Sequence, residues 1–133
     1  DSILNCNHKY KYDEDNNCVY KRMTTTDYTK IDSLTYNESN KLIKQSTIRI
    51  KSNGLRDLDE RLIYSYNDHG DLEEIKTYIV HNYKFTLRRI KKISYSYDYY
   101  GNWIRKTTKN VIKYETYDKI TSYETNNRFI RYL

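Results

Sequence analysis

The chain has 133 residues, with 24 Lys and Arg against 18 Asp and Glu, a net charge of +6 and an apolar content of 37%. It has no proline, no alanine and three glycines but 17 tyrosines, which excludes a helix-rich domain built on Ala and Leu and points to strands, which favour Tyr, Ile, Val and Thr. No apolar run reaches the length of a membrane-spanning helix, and the strongly polar mean hydropathy does not mean disorder, because each tyrosine carries a large ring that can be buried beneath a wet hydroxyl.

At the start of the chain, Asp1 in place of Met is consistent with removal of a signal peptide and equally with a trimmed sequence. Ile3-Leu4-Asn5-Cys6 is a poor match to a lipoprotein cleavage site. Cys6 and Cys18 do not have the spacing of a metal-binding pair. They are able to pair in an oxidising compartment, but Cys18 is expected to pack as a small apolar residue.

A phrase then recurs four times. It reads Tyr10-Lys11-Tyr12-Asp13-Glu14-Asp15-Asn16-Asn17-Cys18, Leu34-Thr35-Tyr36-Asn37-Glu38-Ser39-Asn40-Lys41-Leu42, Tyr64-Ser65-Tyr66-Asn67-Asp68-His69-Gly70-Asp71-Leu72 and Tyr95-Ser96-Tyr97-Asp98-Tyr99-Tyr100-Gly101-Asn102-Trp103. Each copy has Tyr, then Asp or Asn, then two free residues, then Gly or Asn. Asp and Asn suit the first position of a type I turn. Gly and Asn best tolerate the positive φ that follows in a bulged hairpin loop. Each copy therefore predicts a hairpin tip. The flanking runs, such as Ile93-Ser94-Tyr95-Ser96-Tyr97, alternate as strands do. Their tyrosines are expected to stack as a scaffold and to form much of the core.

Between the tips lie linkers of varying length, including Ser52 to Glu60. The tail holds two expected closing strands, Ile120–Tyr123 and Phe129–Leu133. The expectation is one domain, 1–133, with four hairpin repeats over about 8–110 and closing strands over about 111–133. The fold class is all-β, an antiparallel β-hairpin repeat meander of eight to ten strands, as a curved single sheet or a half-barrel.

The phrases YSYDYYGNW and YSYNDHGDL resemble the YD repeat of Rhs-type proteins, and the tips at 13–16 and 37–40 are weaker copies with Asn in place of Gly. The resemblance implies β-hairpin arrays in bacterial envelope or secreted proteins and, for some members, carbohydrate binding. It also implies a periplasmic, cell-envelope or secreted location, with the cytoplasm as the alternative. Four units do not build the toxin-enclosing shell of the large members, and the aspartyl autocleavage motif of those shells is absent from this sequence.

The residues do not read as an enzyme. His8, His69 and His81 lack metal-ligand spacing, and there is no nucleophile elbow or phosphate-binding loop. Asp68, Asp71, Glu73 and Glu74 cluster near the third tip, where they are expected to be solvated. No catalytic residue, metal or cofactor is expected. If the repeat is scaffold, function sits in what is not repeated. Candidate ligand-binding residues are Trp103, Tyr99, Tyr100 and Arg105 at the fourth tip, whose rings suit stacking on a sugar or anchoring a protein partner. A protein or glycan is the expected partner, and an immunity-like role in which this chain neutralises a toxin fits the protein class. Nucleic acid held by interleaved Tyr and Lys or Arg is the alternative. It ranks lower because the positive charge is expected to be spread rather than clustered. The densest basic stretch, Arg88-Arg89-Ile90-Lys91-Lys92, divides between the two faces of a strand.

Overall fold

Strand-forming residues between turn-forming ones give a chain of hairpins. The structure is a computed structural model and describes residues 6–132. Nine strands follow one another: β1 (Asn7–Tyr12), β2 (Cys18–Thr24), β3 (Tyr28–Tyr36), β4 (Leu42–Lys51), β5 (Arg56–Tyr66), β6 (Leu72–His81), β7 (Lys84–Tyr97), β8 (Trp103–Lys113) and β9 (Asp118–Asn127). The protein is all-β and antiparallel, and strand order in the sheet is chain order. The expected hairpin meander is therefore present as a single sheet, with β1 and β9 as its edges. The described residues fall into two compact units, one running up to Ile63 with Tyr78–Thr86, the other comprising Tyr64–Thr77 with the residues from Leu87 onward.

All four repeated phrases form the same loop. The first residue of each tip (Asp13, Asn37, Asn67 or Asp98) donates its N–H to the carbonyl four residues on, and its own carbonyl accepts the N–H three residues on. Its side-chain Oδ1 accepts two further backbone N–H groups, those of Asp15 and Asn17 in the first tip and of Tyr100 and Asn102 in the fourth, at 2.8–3.0 Å. The second and third tips repeat this arrangement at 3.0 Å. At the fourth position φ is positive in every case: Asn16 64°, Asn40 59°, Gly70 82° and Gly101 82°. Past the first, second and fourth tips the outgoing strand carries one residue that has no partner in the register, Val19, Ile43 and Ile104. The register accordingly shifts at Lys11/Tyr12, Thr35/Tyr36 and Ser96/Tyr97. This places Cys18, Leu42 and Trp103 at equivalent positions, opposite Tyr12, Tyr36 and Tyr97.

The loops at the other strand ends follow no common phrase. Ser52 to Glu60 is not a linker. Lys51 to Leu55 forms the same backbone loop as the tips, with Gly54 at φ 86°, and residues from Arg56 already belong to β5. Lys51 offers no short side-chain acceptor, so Asn53 Oδ1 takes the Leu55 N–H instead, at 2.9 Å. β6 and β7 are joined through Asn82 and Tyr83, both at positive φ (49° and 63°), the signature of a type I′ turn.

The core is aliphatic rather than tyrosine-built. Leu34 and Thr47 are buried in the first unit, and Ile90, Ile93, Thr108 and Val111 in the second. Thr47 donates its hydroxyl to Asp32 at 2.6 Å, which satisfies a polar group that would otherwise be buried at a cost. The expectation that the tyrosines form much of the core is corrected here. Tyr28, Tyr36, Tyr64, Tyr66, Tyr95 and Tyr97 are half-buried, and Tyr10 and Tyr12 are exposed. For three of them the hydroxyl explains the position, because it must reach an acceptor near the tips. Tyr36 donates to the Cys18 carbonyl at 2.9 Å, Tyr95 to the Leu72 carbonyl at 2.7 Å and Tyr97 to Asp71 at 2.8 Å.

Of the two closing strands, Ile120–Tyr123 lies within β9. The other does not form over Phe129–Tyr132. There the chain leaves the strand path after Arg128 N–H bonds the Ile104 carbonyl. Leu133 and the Ile3-Leu4-Asn5 stretch lie outside the described residues. Both cysteines are unpaired. Cys18 Sγ contacts the Tyr20 carbonyl at 3.4 Å and Cys6 Sγ contacts His8 Nε2 at 3.2 Å.

Candidate binding surfaces

The four candidate residues at the fourth tip are held in different ways. Tyr99 and Tyr100 are the two free positions of the turn and pack edge to face at 5.5 Å. Tyr99 is 97% exposed and Tyr100 69%. Trp103 opens β8 and is half-buried, with Tyr95 at its edge (6.4 Å) and the Arg128 guanidinium over its ring at 4.1 Å. Arg128 Nε also donates to the Trp103 carbonyl at 2.9 Å. Arg105 donates through Nε to Asn127 Oδ1 at 3.2 Å. Trp103 and Arg105 are thus engaged by residues after β8, and only Tyr99 projects without restraint from that segment.

That segment repeats a device seen at the third tip. Tyr97 accepts a hydrogen bond from Asn67 Nδ2 at 2.6 Å and donates one to Asp71 Oδ2 at 2.8 Å, and its ring stacks on His69 at 3.7 Å. At the fourth tip Tyr132 accepts from Asn102 Nδ2 at 2.8 Å and donates to Asp98 Oδ2, and its ring packs on Tyr100 at 4.6 Å. The amide and the carboxylate exchange positions between the two tips, and the tyrosine hydroxyl bridges them in both. The Tyr132 hydrogen bond holds the Asp98 carboxyl below the usual carboxylate range, and the same bond pushes the Tyr132 phenol up. Desolvation, aided by Asp71, pushes the Tyr97 phenol up.

His69 is exposed, and its ring stacks on Tyr97. The expectation that the acidic cluster at the third tip is solvated changes accordingly. Asp71 is half-buried and accepts the Tyr97 hydroxyl, so this acidic cluster is structural in part. Among the described residues no group of His, Cys, Asp and Glu is arranged to hold a metal ion. The described carboxylates with clear downward displacement are Asp98 and Asp57, and Asp57 owes its shift first to the Arg49 guanidinium, which it binds at 2.9 Å.

Charge is segregated along the chain, contrary to the expectation that it is spread. Residues 87–133 hold eleven Lys or Arg against four Asp or Glu, whereas residues 1–86 hold thirteen against fourteen. The whole positive balance therefore belongs to the last third of the sequence. Within β7 and β8, Lys92 stands directly opposite Lys109, and across β8 from β9, Tyr123 stands opposite Lys109. The composition already contained this signal. It escapes a search for runs because alternation separates the cations along each strand and register reunites them across strands.

Comparison with protein-family models, with curated proteins and with solved structures returns no match to this chain. No described helix is long and apolar enough to cross a membrane.

Proposed function

We propose that the chain is a YD-repeat-like binding module that engages a protein or glycan through exposed aromatic side chains at its hairpin tips, without chemistry of its own. The observation that carries this reading is Tyr99, an aromatic ring 97% exposed on a loop fixed by four backbone-directed hydrogen bonds. A large ring held in water by a rigid loop gains from stacking on a sugar ring or entering a pocket on a partner protein, because little conformational entropy remains to be lost. The bacterial envelope or extracellular setting rests on the family resemblance.

The test is binding of the protein to an immobilised panel of bacterial envelope glycans and to extracellular proteins of the source cell, with Tyr99→Ala in parallel. Loss of the bound signal in a variant that unfolds at the wild-type temperature supports the tip as the site. Unchanged binding by Tyr99→Ala excludes it.

A further inference from the structure

The charged side chains on one face of β7, β8 and β9 are almost all cationic. Side chains alternate across a strand, so Arg88, Ile90 and Lys92 of β7 share a face, and the register carries that face across β8 through Arg105, Lys109, Val111 and Lys113 to Tyr123 on β9. Its one carboxylate among the three strands is Asp118, and Lys113 already binds it at 2.6 Å. Among the described residues Arg88, Lys92 and Lys109 have no ion-pair partner.

The pairing of Lys92 with Lys109 runs against stability, since like charges directly opposite on adjacent strands repel. Edge protection, the usual reason for lysine on a strand, does not explain it. Lys109 lies on β8, which is paired on both sides. An anionic ligand does explain it: the two ammonium groups and the guanidinium groups flanking them along the strands would be neutralised together.

We propose that this face binds single-stranded nucleic acid, with Lys92, Lys109 and Arg88 on phosphates and the Tyr123 ring as a stacking platform for a base. Two observations favour it over an anionic membrane. Tyr123 is exposed in the same rung as the two lysines, the combination of ring and cation that single-strand binders use. Of the aliphatic side chains on this face, Ile90 and Val111 are buried and Ile120, opposite Val111, is exposed, whereas membrane-surface binding requires a broad free apolar face. A strand surface with a stacking ring also suits unpaired bases better than a duplex, whose bases are already stacked.

The experiment is fluorescence anisotropy of a labelled twenty-residue oligothymidylate titrated with the whole protein. Wild type is expected to bind at 50 mM salt and to weaken roughly twenty-fold by 200 mM, as neutralisation of about three phosphates predicts. Tyr123→Ala is expected to weaken binding roughly tenfold with the salt slope unchanged. Lys92→Glu places a carboxylate opposite Lys109, so it is expected to raise the unfolding temperature while weakening binding. That pairing separates a lost site from a misfolded protein. Lys9→Glu on β1, with the same change in net charge, is expected to leave binding nearly unchanged, as is Tyr99→Ala. The proposal is overturned if wild type does not bind the oligonucleotide at 50 mM salt, if Lys9→Glu weakens binding as much as Lys92→Glu, or if phosphatidylserine vesicles are bound and the oligonucleotide is not. Tyr99→Ala failing on glycans or proteins while still binding the oligonucleotide would distinguish this surface from the tip.

Discussion

Tyr97 and Tyr132 hold equivalent places on successive hairpin tips. Each hydroxyl bridges an amide and a carboxylate at the first and fifth positions of a tip, and each ring packs on the third: Asn67, Asp71 and His69 for Tyr97; Asp98, Asn102 and Tyr100 for Tyr132. A residue from further along the chain thus closes the loop that precedes it. The repeated phrase is self-bracing, and its polar residues are occupied with the scaffold.

The bridge has a pH window. The Asp98 carboxyl lies below its ordinary value and the Tyr132 phenol above its own. The carboxylate contribution is present above the unfolded Asp pKa, 3.8, and is lost as pH falls through the lower folded value. The phenol contribution is present below the unfolded Tyr pKa, 10.0, and is lost as pH rises through the higher folded value. Tyr132→Phe is expected to be less stable than wild type by a constant amount between about pH 5 and 9, with the difference shrinking below about pH 4. Urea unfolding of both proteins across that range checks it. A difference that grows in acid would contradict the assignment.

Gly101 has open space where a Cβ would stand, with no heavy atom within 4 Å, yet its φ is +82°. The penalty for a side chain there is therefore conformational rather than steric. Gly101→Val is expected to lose about 1–2 kcal/mol, the strain of an L-residue in the left-handed region. Gly101→Asn is expected to lose less, since Asn16 and Asn40 occupy the same place in the first two tips. Denaturant titration of the two variants gives the comparison, and equal stability of Gly101→Val and wild type would remove the turn assignment.

Trp103 is the chain's one tryptophan, so its emission reports on the Arg128 guanidinium 4.1 Å from the ring. Arg128→Ala is expected to shift that emission to the red and to lower stability by about 0.5–1 kcal/mol, typical of an exposed cation–π contact. An unchanged spectrum would mean that the segment after β9 does not pack on the fourth tip.

The tips were legible in the sequence because their chemistry is local. An Asx side chain, two free residues and a residue tolerant of positive φ specify the loop without help from the rest of the fold, and the weaker Asn16 and Asn40 copies form it as fully as Gly70 and Gly101. The opposite loops were not legible for the same reason in reverse: Asn82-Tyr83 turns with a tyrosine at φ 63°, a conformation that no local preference of Tyr predicts. Trp103 and Arg105 read as free binding residues because the partners that hold them, Arg128 and Asn127, lie more than twenty residues away. The Lys92–Lys109 pair depends on register, which a one-residue shift at each tip resets.

The central claim is that the repeated residues build the scaffold and the unrepeated ones are left for binding. Thermal unfolding of Asn37→Ala beside Tyr99→Ala tests it most directly. Asn37 Oδ1 takes the N–H groups of Ser39 and Lys41, so its loss leaves two donors uncapped and is expected to lower stability by about 0.5–2 kcal/mol, in line with the loss of other Asx caps. Tyr99 is expected to be silent, within about 0.5 kcal/mol of wild type, as for other exposed positions. A stable Asn37→Ala together with a destabilised Tyr99→Ala would contradict the account.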